Sequence, residues 1–298
     1  MTFDEFIARF LTEEQCREYI YNLRFPDEFR CPKCNGNKSW KIGDVLYECS
    51  ACGHQTSVTA GTIFQDTRKP LRTWFIAIWW ITTQKNGASA QGLQQVLGLK
   101  SYQTAWTWLH KIRSAMVNPN RNLLSGTIEI DETLIGGVST GKRGRGAENK
   151  VLVIIAAELD GKKVGRCRMS IIDDASSASI HPFIIENIEK GSNLITDGWN
   201  GYNGIEKKGF ARNVQVQKGE TNEEKLLPHI HTIASLLKRW LLGTHQGAVE
   251  VKHLQAYLDE YVFRFNRRKS AQRGLLFYRL LESAMKTKAT TYHDLVNR

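Results

Sequence analysis

The apolar positions along the chain change period near residue 127, from helical spacing to alternation. Up to about residue 26, Phe3, Phe6, Ile7, Phe10 and Leu11 recur at helical spacing and predict a small helical cap. Pro70 to Gln84 reads as a tryptophan-rich buried helix with Trp74, Ile78 and Ile81 in one register. Ser89 to Val96 predicts a second helix, Gly98-Leu99-Lys100 a turn, and Ser101 opens a third. That third helix buries Ala105, Leu109, Ile112 and Met116, leaving Gln103, Thr107, His110, Lys111 and Arg113 outside. Two short helices around a glycine turn, the second polar and basic, fit a helix-turn-helix with residues 101–116 as recognition helix. An ordinary three-helix bundle has the same pattern.

Asn118-Pro119-Asn120 is a linker, and beyond it the pattern is that of strands. Thr127–Ile135, Lys150–Leu159 and Val164–Ser170 are β-rich, with a turn at Asp160-Gly161 that makes the last two a hairpin. A helix follows over Ser176–Glu189, a short strand over Asn193–Thr196, and another around Val214–Val216. Helices at 229–242 and 252–266 complete the order. Three strands, a helix, a strand, a further αβ unit and then helices is the order of a ribonuclease-H-like α/β domain. The expected fold is therefore multidomain α/β. A helical cap and zinc ribbon span 1–60, a helix-turn-helix-like domain 61–118, and a ribonuclease-H-like domain with a mixed sheet and C-terminal helices 119–298.

The ribbon rests on cysteine spacing. Cys31-Pro-Lys-Cys34 and Cys49-Ser-Ala-Cys52 are paired knuckles, and Trp40 to Tyr47 between them reads as a hairpin. Thiolates bind zinc tetrahedrally, and a two-residue spacing lets each turn supply two of them. Disulfides are the competing reading; the N-terminus lacks a basic-then-apolar signal pattern, which argues against them. Four cysteines complete a site without His54, and Cys16 and Cys167 fall outside the pattern. The longest apolar run, Trp74 to Ile81, is far short of the roughly 20 residues needed to cross a bilayer. These features predict a cytosolic protein. A net charge of +11 over 298 residues favours a polyanionic partner, nucleic acid first.

Two aspartates carry the candidate chemistry. Asp131 ends the run Thr127-Ile-Glu-Ile-Asp131, and Asp197 ends Asn193-Leu-Ile-Thr-Asp197. By alternation Ile128 and Ile130 face one side of their strand, Glu129 and Asp131 the other. Carboxylates at neighbouring strand ends can hold hard divalent cations, and a pair of such ions performs phosphoryl transfer. Glu132, Asp173 and Asp174 are alternative ligands, although the Asp-Asp pair before Ala-Ser-Ser more simply caps a helix. Further on, His231, Ser235 and Lys238 fall at i, i+4 and i+7 on one helical face. His231 can complete a metal site and Lys238 can hold a phosphate; His229 competes with His231. Gly141-Lys-Arg-Gly-Arg-Gly146 is a basic loop whose Lys142, Arg143 and Arg145 are suited to phosphates. Arg264, Arg267 and Arg268 form a second, aromatic-interleaved basic segment with the same expected partner, and Gln103, Lys111 and Arg113 complete the expected DNA contacts.

Taken together, the chain resembles the bacterial insertion-sequence transposases of the fifteen-ninety-five group, the ISXO type. The resemblance rests on Ile130-Asp-Glu-Thr133 with Gly136-Gly137, Thr196-Asp-Gly-Trp199 with Tyr202, and the segment His231 to Lys238. Gly243-Thr-His245 and Tyr257 to Arg268 extend it, and the ribbon in front is typical of the group. It implies a ribonuclease-H-like core that cuts and joins DNA at the terminal inverted repeats of an element, using Mg²⁺ or Mn²⁺. The implied partners are double-stranded DNA and at least a second copy of the chain. Asp131 and Asp197 match the first two acidic residues, and Lys238 the basic residue after the third ligand. His231 stands where relatives carry glutamate or asparagine. Imidazole is softer than carboxylate and adds no negative charge, which favours Mn²⁺. Glu220, Glu223 and Glu224 lie upstream as carboxylates that could compensate.

Overall fold

The computed structural model describes residues 1–118, 120–136, 150–161, 163–216, 226–246, 249–270 and 274–297. It divides into two compact units, Met1–Asn118 together with Ser270–Arg298, and Pro119–Lys269.

The first unit opens with α1 (Phe3–Arg9) and α2 (Glu13–Arg24), each started by a capping box, Thr2 with Glu5 and Thr12 with Gln15. An antiparallel sheet of β1 (Ser39–Ile42), β2 (Leu46–Cys49) and β3 (Gln55–Ser57) follows. The first two strands are the hairpin expected between the knuckles. Then come α3 (Leu71–Thr83), α4 (Ala90–Leu97) and α5 (Tyr102–Ser114). Gly98 ends α4 at φ +59°, a left-handed cap that favours glycine. Trp74 of α3 stacks on Trp108 of α5 at 3.7 Å between ring centroids.

The buried face of α5 is wider than one stripe. Trp108, His110 and Arg113 are buried along with the predicted positions, and Arg113 Nη2 donates to the Ala88 carbonyl at 3.2 Å. This corrects the expectation that His110 and Arg113 face outward. A guanidinium pointing inward can satisfy a carbonyl left over at the start of α4, a demand the spacing of apolar residues does not reveal.

In the second unit β4 (Thr127–Gly136), β5 (Lys150–Asp160) and β6 (Lys163–Ile172) form an antiparallel meander. After α6 (Ser177–Asn187), β7 (Asn193–Thr196) pairs parallel with β4, and β8 (Ala211–Val214) pairs parallel with β7. The sheet order is β6-β5-β4-β7-β8, a mixed five-stranded sheet. Two helices follow, α7 (Pro228–His245) and α8 (Val251–Asn266). Alternation along β4 splits the core in two. Ile128 and Ile130 pack with Ile180, Ile184 and Tyr202 on the α6 side. Ile135 packs with Ile230, Ile233, Leu237 and Leu258 on the side of α7 and α8. β8 begins three residues before the strand expected around Val214–Val216. It is an edge strand of mixed exposure, so no alternation marks it.

The chain then returns to the first unit through α9 (Gly274–Lys286) and α10 (Tyr292–Val296). Phe277 of α9 is fully buried against Phe6, Phe10 and Phe75, with centroids 5.4, 5.5 and 5.7 Å away. The domain expected over 119–298 is accordingly shorter, ending as a compact unit at Lys269. An amphipathic pattern announces a buried face without saying what covers it.

Candidate active site

β4 and β7 run side by side in register, Thr127 opposite Asn193, Ile128 opposite Leu194 and Glu129 opposite Ile195. Continued by two residues, that register sets Asp131 level with Asp197 just past the end of β7. Both are half-buried. Asp131 Oδ1 accepts the Glu132 amide at 2.8 Å, and Asp197 Oδ1 accepts the Trp199 amide at 3.0 Å, opening the turn after β7. That turn is braced. Trp199 Nε1 donates to the Ala175 carbonyl at 2.6 Å, and Arg212 of β8 donates to the carbonyls of Asp197 and Trp199, each at 3.2 Å.

From the other direction, α7 crosses the sheet over β4. An open cleft of about 350 Å³ is lined by Asp131, Glu132, Thr133 and Leu134 from β4, and by His231 and Lys238 from α7. His231, Ser235 and Lys238 are all exposed on one face of the helix, as their spacing predicts. Lys238 is held below the ordinary lysine range by desolvation and by the like charge of Lys150. Asp131, His231 and Lys238 therefore share one cleft, with Asp197 at the end of the strand next to Asp131.

Two further acidic residues of β4 have defined partners. Glu129 is buried and accepts the His229 and Ile230 amides at 3.1 Å each, together with His229 Nδ1 at 2.6 Å. Glu132 accepts the hydroxyl of fully buried Tyr202. The Tyr202 phenol is pushed well above its ordinary range by burial first, then by the charges of Glu132, Asp131 and Asp197. The phenol thus stands within electrostatic reach of all three carboxylates. Asp174 accepts the Ser176 amide at 3.0 Å and the Ser179 hydroxyl at 2.8 Å, so it braces the turn leading into α6.

In the first unit the Sγ atoms of Cys31, Cys34, Cys49 and Cys52 all lie within 4.8 Å of one another. Cys31 to Cys52 is 3.7 Å and Cys34 to Cys49 is 3.5 Å. With zinc–sulfur bonds of about 2.3 Å, a tetrahedron has edges of about 3.8 Å, so the four thiols fit zinc. Gly36 keeps the cage open, since a Cβ there would lie 3.3 Å from two of the sulfurs. Among the described residues this is the one group of three or more such donors gathered within 4.8 Å; the donors around Asp131 are not drawn together to that degree.

Residues 123–266 match the ISXO2-like transposase domain, and residues 11–55 match the transposase zinc-ribbon domain. The chain belongs to this transposase family. It is also 24% identical over 280 residues to an uncharacterized protein in transposable element ISH50 of Halobacterium salinarum, covering 87% of this chain and 92% of the relative. That relative comes from an archaeal host, so the likeness reaches beyond the bacterial elements of the sequence comparison.

The basic residues of the transposase are distributed unequally. Lys142, Arg143 and Arg145 lie outside the described residues, as do Glu220, Glu223 and Glu224. Gln103 is exposed on α5, while Lys111 is half-buried and held below the usual lysine range by desolvation. The segment at the end of α8 is engaged within its own unit. Arg264 makes a forked pair with buried Glu260 at 2.7 and 2.9 Å, and Arg267 lies 4.1 Å from the Phe263 ring centroid. Arg268 lies 3.9 Å from the Phe265 ring centroid and donates to the carbonyls of Val164 and Gly165, while Asn266 bonds both backbone groups of Cys167. Through Asn266 and Arg268 this run fastens α8 to the start of β6. The sequence does not reveal the contacts of Glu129 with the start of α7, or those of Arg212 with the turn after β7. The available signal for Glu129 was a carboxylate on the inward side of an apolar strand. Among the described residues no helix is long and apolar enough to cross a membrane.

Proposed function

We propose that this transposase cuts and joins the DNA ends of an insertion sequence by metal-dependent phosphoryl transfer within a ribonuclease-H-like core. The observation that carries this reading is the register of β4 and β7. It sets Asp131, midway along β4, level with Asp197 just past the end of β7, while α7 brings His231 and Lys238 to the Asp131 cleft. The sheet order supports the ribonuclease-H-like assignment, since three antiparallel strands are followed by two added in parallel on the side of the first. Asp131 and Asp197 are the hard oxygen donors for Mg²⁺ or Mn²⁺, with His231 as third donor. When bound, the cations supply Lewis acidity at the scissile phosphate. Lys238 is placed in the same cleft to hold a phosphate oxygen. The cysteine ribbon and the α4-turn-α5 segment, with Gln103 exposed on α5, are the DNA-reading elements, used as a helix-turn-helix. Paired element ends call for at least a dimer.

A second reading, a DNA-binding relative without catalysis, is favoured by His231, because imidazole leaves the site one negative charge short of an acidic triad. Strand transfer separates the readings. Incubated with end-containing DNA and Mn²⁺, the wild type should give joined products, and Asp131→Asn should bind the ends without giving any. Cleaved ends that never join would make the protein a nuclease, and bound ends that are never cleaved would support the second reading.

A further inference from the structure

Glu129 and Glu132 flank Asp131 in a strand whose other core-facing positions are apolar. A buried carboxylate is costly unless it is fully bonded, so its presence calls for a reason. We propose that these two glutamates are positioning residues, fastening the helix that bears His231 and the loop that bears Asp197 to the strand that bears Asp131. The proposal rests on the transposase site described above.

On one face of β4, Glu129 completes the start of α7. That helix has no cap of its own. Leu227 precedes it in the left-handed region at φ +49°, and no side chain at that position bonds the first turn. Pro228 has no amide hydrogen, the His229 and Ile230 amides go to Glu129, and the His231 amide reaches the Leu227 carbonyl at 3.2 Å. The His229 ring adds a third bond at 2.6 Å. Two amides and a ring fix both the depth of α7 and its rotation about its own axis. His231 follows within two residues, so its placement over Asp131 is set where Glu129 holds the chain.

On the opposite face, Glu132 accepts the Tyr202 hydroxyl, and Tyr202 ends the short 3₁₀ turn that follows Asp197. The ring is fully buried, and the Arg212 guanidinium, which also grips the Asp197 carbonyl, lies 5.5 Å from its centroid. Strand alternation is what divides the work, because residues 129 and 132 point to opposite sides. Each of the two clamped elements brings one of the donors that must meet Asp131.

The test is a cycle of variants read by Mn²⁺ affinity, using the full zinc-loaded chain and calorimetric titration without DNA. Partners that orient metal ligands are worth about 10- to 100-fold in affinity, so Glu129→Gln and Tyr202→Phe should each weaken Mn²⁺ binding at least about tenfold. In a His231→Ala background the Glu129→Gln effect should fall to within about twofold of none, while the Tyr202→Phe effect persists. A purely structural role for Glu129 would weaken binding equally in both backgrounds. That result, or unchanged Mn²⁺ affinity in either single variant, overturns the proposal. If Glu129→Gln does not fold, His229→Ala, which keeps both amide bonds, runs the same cycle with the same criteria. Asp131→Asn is the separate arm. Undiminished Mn²⁺ binding in that variant refutes the metal site itself, and the proposal falls with it. Lost binding there leaves the cycle to decide.

Discussion

Phe277 gives the sharpest prediction about how the chain is organised, because it lies far from the residues it packs against in sequence. It is fully buried, and three further buried phenylalanines, Phe6, Phe10 and Phe75, lie within 5.7 Å centroid to centroid. Phe277→Ala removes a ring from a closed aromatic cluster that has little freedom to collapse. Large-to-small changes of this type cost about 3–5 kcal/mol. At about 1.4 kcal/mol per decade, amide exchange governed by unfolding of the first unit should accelerate by roughly 10²- to 10³-fold or more. Hydrogen exchange read by mass spectrometry localises the effect. The amides of α1 and α3 should lose protection along with α9, while those of β4, β5 and β6 keep theirs. Unchanged exchange in α1 and α3, or loss centred on residues 127–172, would show that the C-terminal helices belong with the second unit.

Zinc removal by a chelator should melt the ribbon and release one zinc per chain, measurable by a colorimetric chelator, and Cys49→Ala should do the same without chelator. Arg113→Ala should destabilise the first unit in urea by about 1–3 kcal/mol, since it orphans the Ala88 carbonyl and leaves a cavity. Gln103→Ala should leave stability within about 0.5 kcal/mol while weakening binding to element ends in a gel-shift assay. Arg268→Ala should destabilise the second unit with little change in the salt dependence of DNA binding, because its guanidinium is bonded to β6 carbonyls.

What the sequence made legible follows from local physics. Cysteine spacing predicted a four-thiol cage because two tight turns suffice to form one. The two aspartates stood out because each lies in a short apolar run closed by a glycine turn, and the β5–β6 hairpin was readable from the turn at Asp160-Gly161. What escaped depended on distant partners. Arg113 looked like an outward cation on α5, yet it turns inward to a carbonyl that precedes α4. The run Arg264 to Arg268 also has partners within its own unit that spacing does not announce, namely Glu260, two phenylalanine rings and the carbonyls of β6. β8 gave little signal because an edge strand need not alternate, and its place became visible only through pairing with β7. Glu129 was identified as sharing a side with Asp131; that it completes a helix beginning about a hundred residues later required the fold.

The most direct test of the account is metal-dependent processing of the element's own ends by the purified protein, comparing wild type with Asp197→Ala. The account predicts cleavage and joining with Mn²⁺, weaker or equal with Mg²⁺, and none in the variant despite retained DNA binding. Processing that survives Asp197→Ala, or that needs no divalent metal, would contradict it.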